Sequence, residues 1–441
     1  MTKAENDTSA PRRPFDKGKR CLAIDIGASS GRHIVGWMED GEIQTREVYR
    51  FPNGMTEEEG RLTWDVQALL SHVERGVDEA LRAYPDLASL SVDTWGVDYV
   101  LMQGEREIFP CHAYRDRRTE AVMSQVHEKI PFAELYRRTG ISCQPYNTIY
   151  QLYADKLAGR LNEATDFLHM PEYFLYKLCG VKGHEYTEAT TGSMVSAESG
   201  QYDREIVRAL ALPDHLFGNL SQPGTKLGKY RGIDCILCAT HDTASAVEGI
   251  PMEGSALYLS SGTWSLLGAK VPKPLTDEDS MAANFTNEGG VGYIRYLKNI
   301  MGMWLVNRLR EELCPGRDFR EIVTEAEENH FEPTVDATDP AFLSPESMKA
   351  AFDERLPHPP KCTAGYFRCA YRSLAMSYQQ AVSEIERNTG QTYEKLYIVG
   401  GGAKNQFLNR LTEEVTGKRV IVLPIEATAL GILKIQMEAI A

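Results

Sequence analysis

No run of roughly 18 apolar residues occurs anywhere in the 441-residue chain, so no transmembrane helix is expected. A long basic block is equally absent. Lys and Arg number 48 against 62 Asp and Glu, a formal net charge of −14, and this acidic balance lacks the electrostatic footprint of a nucleic-acid binder. The opening segment MTKAENDTSAPRRPFDKGKR has no apolar stretch of the kind that makes a secretory signal, and residues 1–19 are expected to form a disordered tail. Cysteine is sparse. The nine residues, an odd number at scattered positions, fit a reducing cytoplasm and not a disulfide scaffold. Cys235 and Cys238 stand at the spacing of a redox or zinc pair, yet no second pair follows to complete four ligands, and the segment reads as a short buried strand. Two nucleotide signatures are missing as well. Neither G-x-x-x-x-G-K-[ST] nor a strand-following G-x-G-x-x-G is found, so neither a P-loop nor a dinucleotide-binding site is supported.

What is present is an α/β pattern. With 42% hydrophobic and 25% charged residues, a chain of this length suits two or three domains with large cores. Short β-rich runs predict strands at 21–26, 33–37, 43–49, 90–93, 97–102, 235–239, 257–260, 264–269, 396–399 and 420–423. Amphipathic spacing predicts helices over 65–83, 117–129, 147–158, 172–178, 243–249, 298–313, 365–388 and 405–416. Two stretches half a chain apart, CLAIDIGASSGRHIVGW (21–37) and LYLSSGTWSLLGAK (257–270), both read strand, Gly/Ser turn, strand. The repeat predicts two similar lobes facing each other, residues 20–246 and 247–441, divided near the apolar helix around 243–250. The Pro-containing stretch 314–364 is expected to be a loop-rich insertion on the surface of the second lobe.

Four segments carry chemistry. In DIGASSGR (25–32) a strand delivers a carboxylate to a tight turn of small residues followed by Arg32. Successive backbone N–H groups there make an anion-binding concavity and Arg supplies a fork matched to phosphate; an ordinary hairpin turn with a surface arginine is the alternative. In THDTASAV (240–247) Asp242 stands where a strand becomes a helix, either as a general base flanked by His241 and Thr243 or as a helix cap. IVGGGAKN (398–405) places three glycines after a strand, which lets backbone approach a flat ligand closely. DTWGVD (93–98) joins two strands with an aromatic ring and two carboxylates, a set suited to a polyhydroxylated ligand or to a structural turn around a buried Trp.

Together these segments resemble the FGGY carbohydrate kinases, two-lobed members of the actin/hexokinase/Hsp70 fold group. The resemblance runs in family order through DIGASSGR (25–32), DTWGVDYVL (93–101), YRDRRT (114–119), NTIYQL (147–152), MPEYFLYKLCG (170–180), THDTASAV (240–247), LSSGTWSLLG (259–268), TNEGG (286–290), LKNIMGMWL (297–305) and IVGGGAKN (398–405). It implies two actin-like, ribonuclease H-like α/β lobes with the active site in the cleft between them. The first lobe would serve sugar and phosphate and the second the nucleotide. The resemblance also implies that Ala28, Ser29, Ser30, Gly31 and Arg32 meet ATP phosphates, with Thr263, Asn307 and Gly401 at further nucleotide positions. Asp25 would stand near Mg²⁺ through water. Gly96, His241, Asp242, Thr243 and Asn299 match sugar-binding positions, and Asp242 matches the proton acceptor. Its sugar motifs are most similar to those of members that phosphorylate the 1-hydroxyl of L-rhamnulose. Positioning and charge stabilisation would supply most of the rate, so a carboxylate of ordinary pKa suffices, and lobe closure would exclude water. The implied partners are MgATP and a small sugar, in the cytoplasm, with no nucleic acid and no membrane.

Departures from the family pattern fall late in the chain. EATALGIL (426–433) lacks a residue after Gly431, the C-terminus is short, and the stretch before Thr240 is shortened, which puts the packing of the last helix in question. L-fuculose and L-xylulose stand as alternative substrates. A non-catalytic sugar-binding protein of the same fold would be favoured by loss of Asp242 or of the 25–32 turn, and both are intact.

Overall fold

The computed structural model describes residues 18–423 and 426–441, so the expected tail lies outside the described residues as far as residue 17. Two six-stranded sheets dominate. The first contains β1 (Arg20–Ile26), β2 (Ser30–Glu39), β3 (Glu42–Pro52), β4 (Leu87–Thr94), β5 (Lys226–Tyr230) and β6 (Ile233–Ile236), in the order β5-β6-β4-β1-β2-β3. The second contains β7 (Ala256–Ser261), β8 (Trp264–Val271), β9 (Thr286–Gly289), β10 (Ile294–Met301), β11 (Lys395–Val399) and β12 (Arg419–Val422), in the order β9-β10-β8-β7-β11-β12. Each has the same heart. β1 pairs antiparallel with β2 and parallel with β4, and β4 pairs parallel with β6. Likewise β7 pairs antiparallel with β8 and parallel with β11, which pairs parallel with β12. The duplicated hairpin seen in the sequence is thus the start of a duplicated α/β lobe.

Burial explains the strand sequences. Leu22, Ala23 and Ile24 of β1 and Leu257, Tyr258 and Leu259 of β7 are almost wholly buried, as continuous apolar runs are when a strand is covered on both faces. Helix α1 (Val66–Ala83) buries Val66, Leu69, Val73, Val77 and Ala80, one apolar stripe, against the first sheet. Further helices are α2 (Thr148–Leu157), α3 (Met170–Cys179), α4 (Asp242–Glu248), α5 (Trp304–Leu313), α6 (Thr363–Thr389), α7 (Gln406–Thr416) and α8 (Ala427–Ile440). Cys235 and Cys238 are fully buried core residues, and all nine cysteines are free. Among the described residues no helix is long and apolar enough to cross a membrane.

Three expectations change. The single helix expected over 298–313 is in fact strand β10 followed by α5, with Gly302 between them. Ladder pairing of β10 with β8 along its whole length outweighs the local helical spacing. The stretch 314–364 is not a surface insertion: it holds the helices Phe319–Glu328 and Met348–Arg355, and Ala337, Phe342, Met348 and Phe352 lie in the core of the second lobe. The helix expected over 117–129 is broken into a 3₁₀ turn, Arg117–Thr119, and a helix, Met123–Lys129.

The last helix is well packed. Ala429, Ile432 and Leu433 of α8 join Cys21, Ala23 and Ile34 of the first sheet in one apolar cluster. Gln436 donates to Leu22 O at 3.0 Å and accepts from Ser89 Oγ at 2.7 Å. α8 therefore crosses the expected division at 246/247 and lies on the first lobe. It crosses α4 at the closest possible range: a Cβ on Gly431 would stand 1.8 Å from Ser245 O, and one on Gly249 2.0 Å from Ala427 O.

Candidate active site

The sugar-side candidates begin at the carboxyl ends of β4 and β6. Thr94 N donates to Thr240 O at 3.0 Å, which brings the chain before α4 alongside the end of β4. Buried Glu185 holds this junction from behind, accepting from Thr240 N at 3.2 Å and from Thr240 Oγ1 at 2.7 Å. His241 then caps α4 and Asp242 is its first residue. The His241 side chain makes no capping bond, and the Asp242 carboxylate is held by Thr243, through its backbone N–H and its hydroxyl. Its Oδ1 accepts from Thr243 Oγ1 at 3.0 Å and lies 3.5 Å from His241 Nε2. About a third of the Asp242 side chain, 34%, is exposed. Burial first, and the charge of Asp25 second, push its carboxyl up to about 6, away from the ordinary value expected from sequence.

The TWGVD turn is built around a strained residue. Val97 has φ 71°, a left-handed conformation rare for a β-branched side chain. Both of its backbone polar groups are held: Val97 N donates to Glu188 Oε1 at 2.9 Å and to Thr191 Oγ1 at 3.2 Å, while its carbonyl accepts from Thr148 Oγ1 at 2.8 Å. Asp98 does not face a ligand. It is fully buried, and its carboxylate accepts from Trp64 Nε1 at 2.7 Å, Trp95 Nε1 at 2.9 Å, Tyr114 N at 3.0 Å and Gln151 Nε2 at 3.0 Å. Of the two readings of this segment, the structural one holds for Asp98, while Trp95 and Gly96 line a cavity.

That cavity, about 200 Å³, lies between the lobes. Gly96, His241 and Asn299, three of the predicted sugar contacts, line it together with Tyr114, Tyr146, Trp264 and Glu288. Asn299 reaches it from β10, and Trp264, 41% exposed, stands at its mouth. Asp242 and Thr243, at the start of α4, are not among the residues that line it; Asp242 Oδ1 lies 3.5 Å from Nε2 of the lining His241 and is bonded by Thr243. Behind it the lobes are bolted together: Gly289 N donates to Thr190 Oγ1 at 2.8 Å, and Asn287 N to Gly140 O at 2.9 Å.

The phosphate-side candidates occupy equivalent turns of the two lobes. In the first, Gly27 N bonds Ser30 O at 2.9 Å and Asn53 Nδ2 donates to Gly27 O at 2.8 Å, which closes the Ala28–Ser29 turn and leaves Ser29 exposed. A Cβ on Gly31 would strike the Phe51 ring, 2.2 Å away. Arg32 Nε donates to Asp25 Oδ2 at 2.9 Å. In the second lobe Thr263 is exposed, and its carbonyl accepts from Gly302 N at 3.1 Å and Trp304 N at 3.2 Å, which seats the start of α5 against it. Asn307 is exposed one turn along α5. A Cβ on Gly400 (φ 89°) would stand 2.6 Å from Ser261 O, whereas one on Gly401 would meet nothing within 4 Å. The triple glycine thus fits the protein closely at its first residue and is open at its second.

Three residues of this region have no place among the predicted site residues, although Asp93 is one of the two carboxylates noted in DTWGVD. Asp93, fully buried at the end of β4, is the register partner of Asp25. Glu288 and Arg295, from β9 and β10, meet at 3.0 Å behind His241. Asp93 and Glu288 lie inside segments already quoted, DTWGVD and TNEGG; Arg295 carries no local signal at all.

Comparison with known proteins agrees with this architecture. Residues 20–237 match the N-terminal domain of the FGGY family of carbohydrate kinases, and residues 257–440 match the C-terminal domain. A rhamnulokinase of Oceanobacillus iheyensis is 38% identical over 436 residues, 95% of this chain and 93% of the relative. A rhamnulokinase of Bacillus subtilis is 37% identical over 441 residues, 95% of this chain and 90% of the relative. Among solved structures, a gluconate kinase from Lactobacillus acidophilus superposes with a TM-score of 0.82 at 14% identity, covering 96% of this chain and 89% of that one. A Plasmodium falciparum glycerol kinase with ADP gives 0.78 at 14% identity, covering 97% and 91%.

Proposed function

The chain belongs to the FGGY family of carbohydrate kinases, and from that premise we propose that it transfers the γ-phosphoryl group of ATP to the 1-hydroxyl of L-rhamnulose, giving L-rhamnulose 1-phosphate and ADP. The identity of 37–39% to rhamnulokinases along 95% of the chain supports the substrate. The observation that carries the chemistry is the partly exposed Asp242 carboxylate, whose Oδ1 lies 3.5 Å from Nε2 of His241, which lines the cavity with Gly96 and Asn299.

In this reading Asp242 accepts the proton of the 1-hydroxyl as the O1–P bond forms and the bond from phosphorus to the β-phosphate oxygen breaks. Asn299, Gly96, His241 and Thr243 orient the sugar so that the attacking oxygen is in line. The turn Ala28–Arg32 presents backbone N–H groups and the Arg32 guanidinium to phosphate. Thr263, Asn307 and Gly401 take the nucleotide, with the open face of Gly401 allowing close approach. The charge of Asp25 acts on both Asp93 and Asp242, a repulsion that a hard cation nearby would relieve. Among the described residues no three acidic, His or Cys groups converge tightly enough to enclose an ion. Asp25 would hold Mg²⁺ through water, and the ion would supply neutralisation of charge on the phosphates.

A coupled ADP-release assay with L-rhamnulose, L-fuculose, L-xylulose and glycerol tests the reading. L-rhamnulose is expected to give the highest kcat/KM; a clear preference for L-fuculose or L-xylulose would overturn the substrate, and no turnover of any of them the activity.

A further inference from the structure

Arg295, at 0% exposure, is among the largest fully buried side chains. Its Nε donates to Gly289 O at 2.8 Å, its Nη2 pairs with Glu288 Oε2 at 3.0 Å, and the same Nη2 lies 3.1 Å from His241 Nδ1. A guanidinium has donors only. A hydrogen bond at that distance therefore needs a lone pair on Nδ1, which places the imidazole proton on Nε2. Glu288 is the weaker partner: its Oε2 accepts no hydrogen bond among the described residues, but at 3.5 Å from His241 Nδ1 it lies beyond good hydrogen-bond range, whereas Arg295 Nη2 lies within it and forms an ion pair with Glu288 at 3.0 Å. The Nε2 edge faces the other way, 3.5 Å from Asp242 Oδ1 and toward the cavity that His241 lines.

We infer that Arg295 is a positioning residue: anchored by Glu288 and the Gly289 carbonyl, it locks His241 as the neutral Nε2–H tautomer, so that His241 can only donate a hydrogen bond toward the reacting side of the cavity. Two consequences follow. The substrate atom facing His241 must be an acceptor, a hydroxyl or carbonyl oxygen. His241 also cannot take the transferred proton, which leaves Asp242 as the only acceptor in the pair. The charge of Arg295 and the burial of the ring act in the same direction, both disfavouring a second proton on the imidazole. The hairpin that carries Glu288 and Arg295 belongs to the second lobe, whereas His241 precedes α4. The arrangement therefore makes the state of a first-lobe donor depend on correct docking of the second lobe.

This inference rests on the sugar-kinase reading for its kinetic part but not for its structural part, and the test separates the two. Long-range ¹H–¹⁵N correlation spectra of the ¹⁵N-histidine-labelled full chain, without substrate, are expected to show His241 with an unprotonated Nδ1 and a protonated Nε2 at pH 7. A protonated Nδ1 would overturn the proposal whatever the enzyme phosphorylates. In Arg295→Gln the His241 signals are expected to move toward a mixture of tautomers. kcat/KM for the sugar should fall about 10- to 100-fold, the scale at which outer partners of an oriented imidazole act, with ATP affinity unchanged. Arg295→Lys, which keeps a donor and a charge, should restore part of that loss. If Arg295→Gln does not fold, the wild-type spectrum and Arg295→Lys still decide. Wild-type tautomer and kinetics in a folded Arg295→Gln would refute the assignment. Absence of kinase activity in the wild type with the expected spectrum would refute only the kinase reading.

Discussion

Asp25 and Asp93 stand opposite each other on the adjacent parallel strands β1 and β4, and neither carboxylate oxygen of Asp93 has a hydrogen-bond partner among the described residues. Burial, then the charges of Asp25 and Asp242, hold the Asp93 carboxyl well above its ordinary value of 3.8. The folded state therefore keeps a proton that the unfolded chain releases as the pH passes 3.8, and stability contributed by Asp93 falls as pH rises above that point. In Asp93→Asn this dependence should vanish. Measured without divalent cations, the Tm of the variant relative to wild type is expected to rise from pH 4 to pH 8. A difference that stays constant would show that Asp93 is ionised in the folded protein.

The Asp242 carboxyl, pushed up to about 6, must be deprotonated to accept a proton. kcat/KM for the sugar, which reports the free enzyme, should be flat above this value and fall as the pH drops through about 6. Asp242→Asn should lower kcat by about 10²- to 10⁴-fold with ATP binding retained. An active Asp242→Asn enzyme would remove the residue from its role.

The triple glycine separates fold from binding. Gly401→Ala meets open space and should leave Tm unchanged while raising KM for ATP, because the new methyl would occupy the face proposed for the nucleotide. Gly400→Ala combines a left-handed φ of 89° with a Cβ 2.6 Å from Ser261 O, and should lower Tm first. Equal effects of the two substitutions on Tm would contradict this division.

The crossing of α4 and α8 ties stability to catalysis. Gly431→Ala would drive a methyl group to within 1.8 Å of Ser245 O and force the helices apart. We expect a loss of about 1–3 kcal/mol in chemical denaturation, the usual cost of overpacking. kcat should fall as well, since Asp242 begins the displaced helix. A destabilised variant with full kcat would show that α4 moves without carrying Asp242.

Much of the site was legible in the sequence because its residues sit in short turns that follow strands. There a run of small or glycine residues has few other uses: Gly96 and the glycines at 400–402 occupy such places, while Asp25 stands at the end of the strand before one and Asp242 starts the helix after another. The helical reading of 298–301 failed for the opposite reason. Leu297, Ile300 and Met301 stand at the i, i+3, i+4 spacing of a helical stripe, but they form a strand buried on both faces, and only the pairing of β10 with β8 decides this. Asp98 was misleading on the same grounds, since no local pattern tells a ligand-facing carboxylate from one enclosed by two tryptophans and a glutamine.

By itself, then, the order of residues determined two repeated α/β lobes, the Gly/Ser turns that follow their first strands and the carboxylate at the start of α4. These features are local, and steric and hydrogen-bonding demands within a few residues suffice to specify them. The tertiary structure alone decided that Arg295 stands behind His241, that Asp93 is sealed beside Asp25, and that the last helix returns to the first lobe. Each of these depends on residues far apart in the chain meeting where water is excluded. There the energy of a charge or a donor is set by its neighbours and not by its own segment.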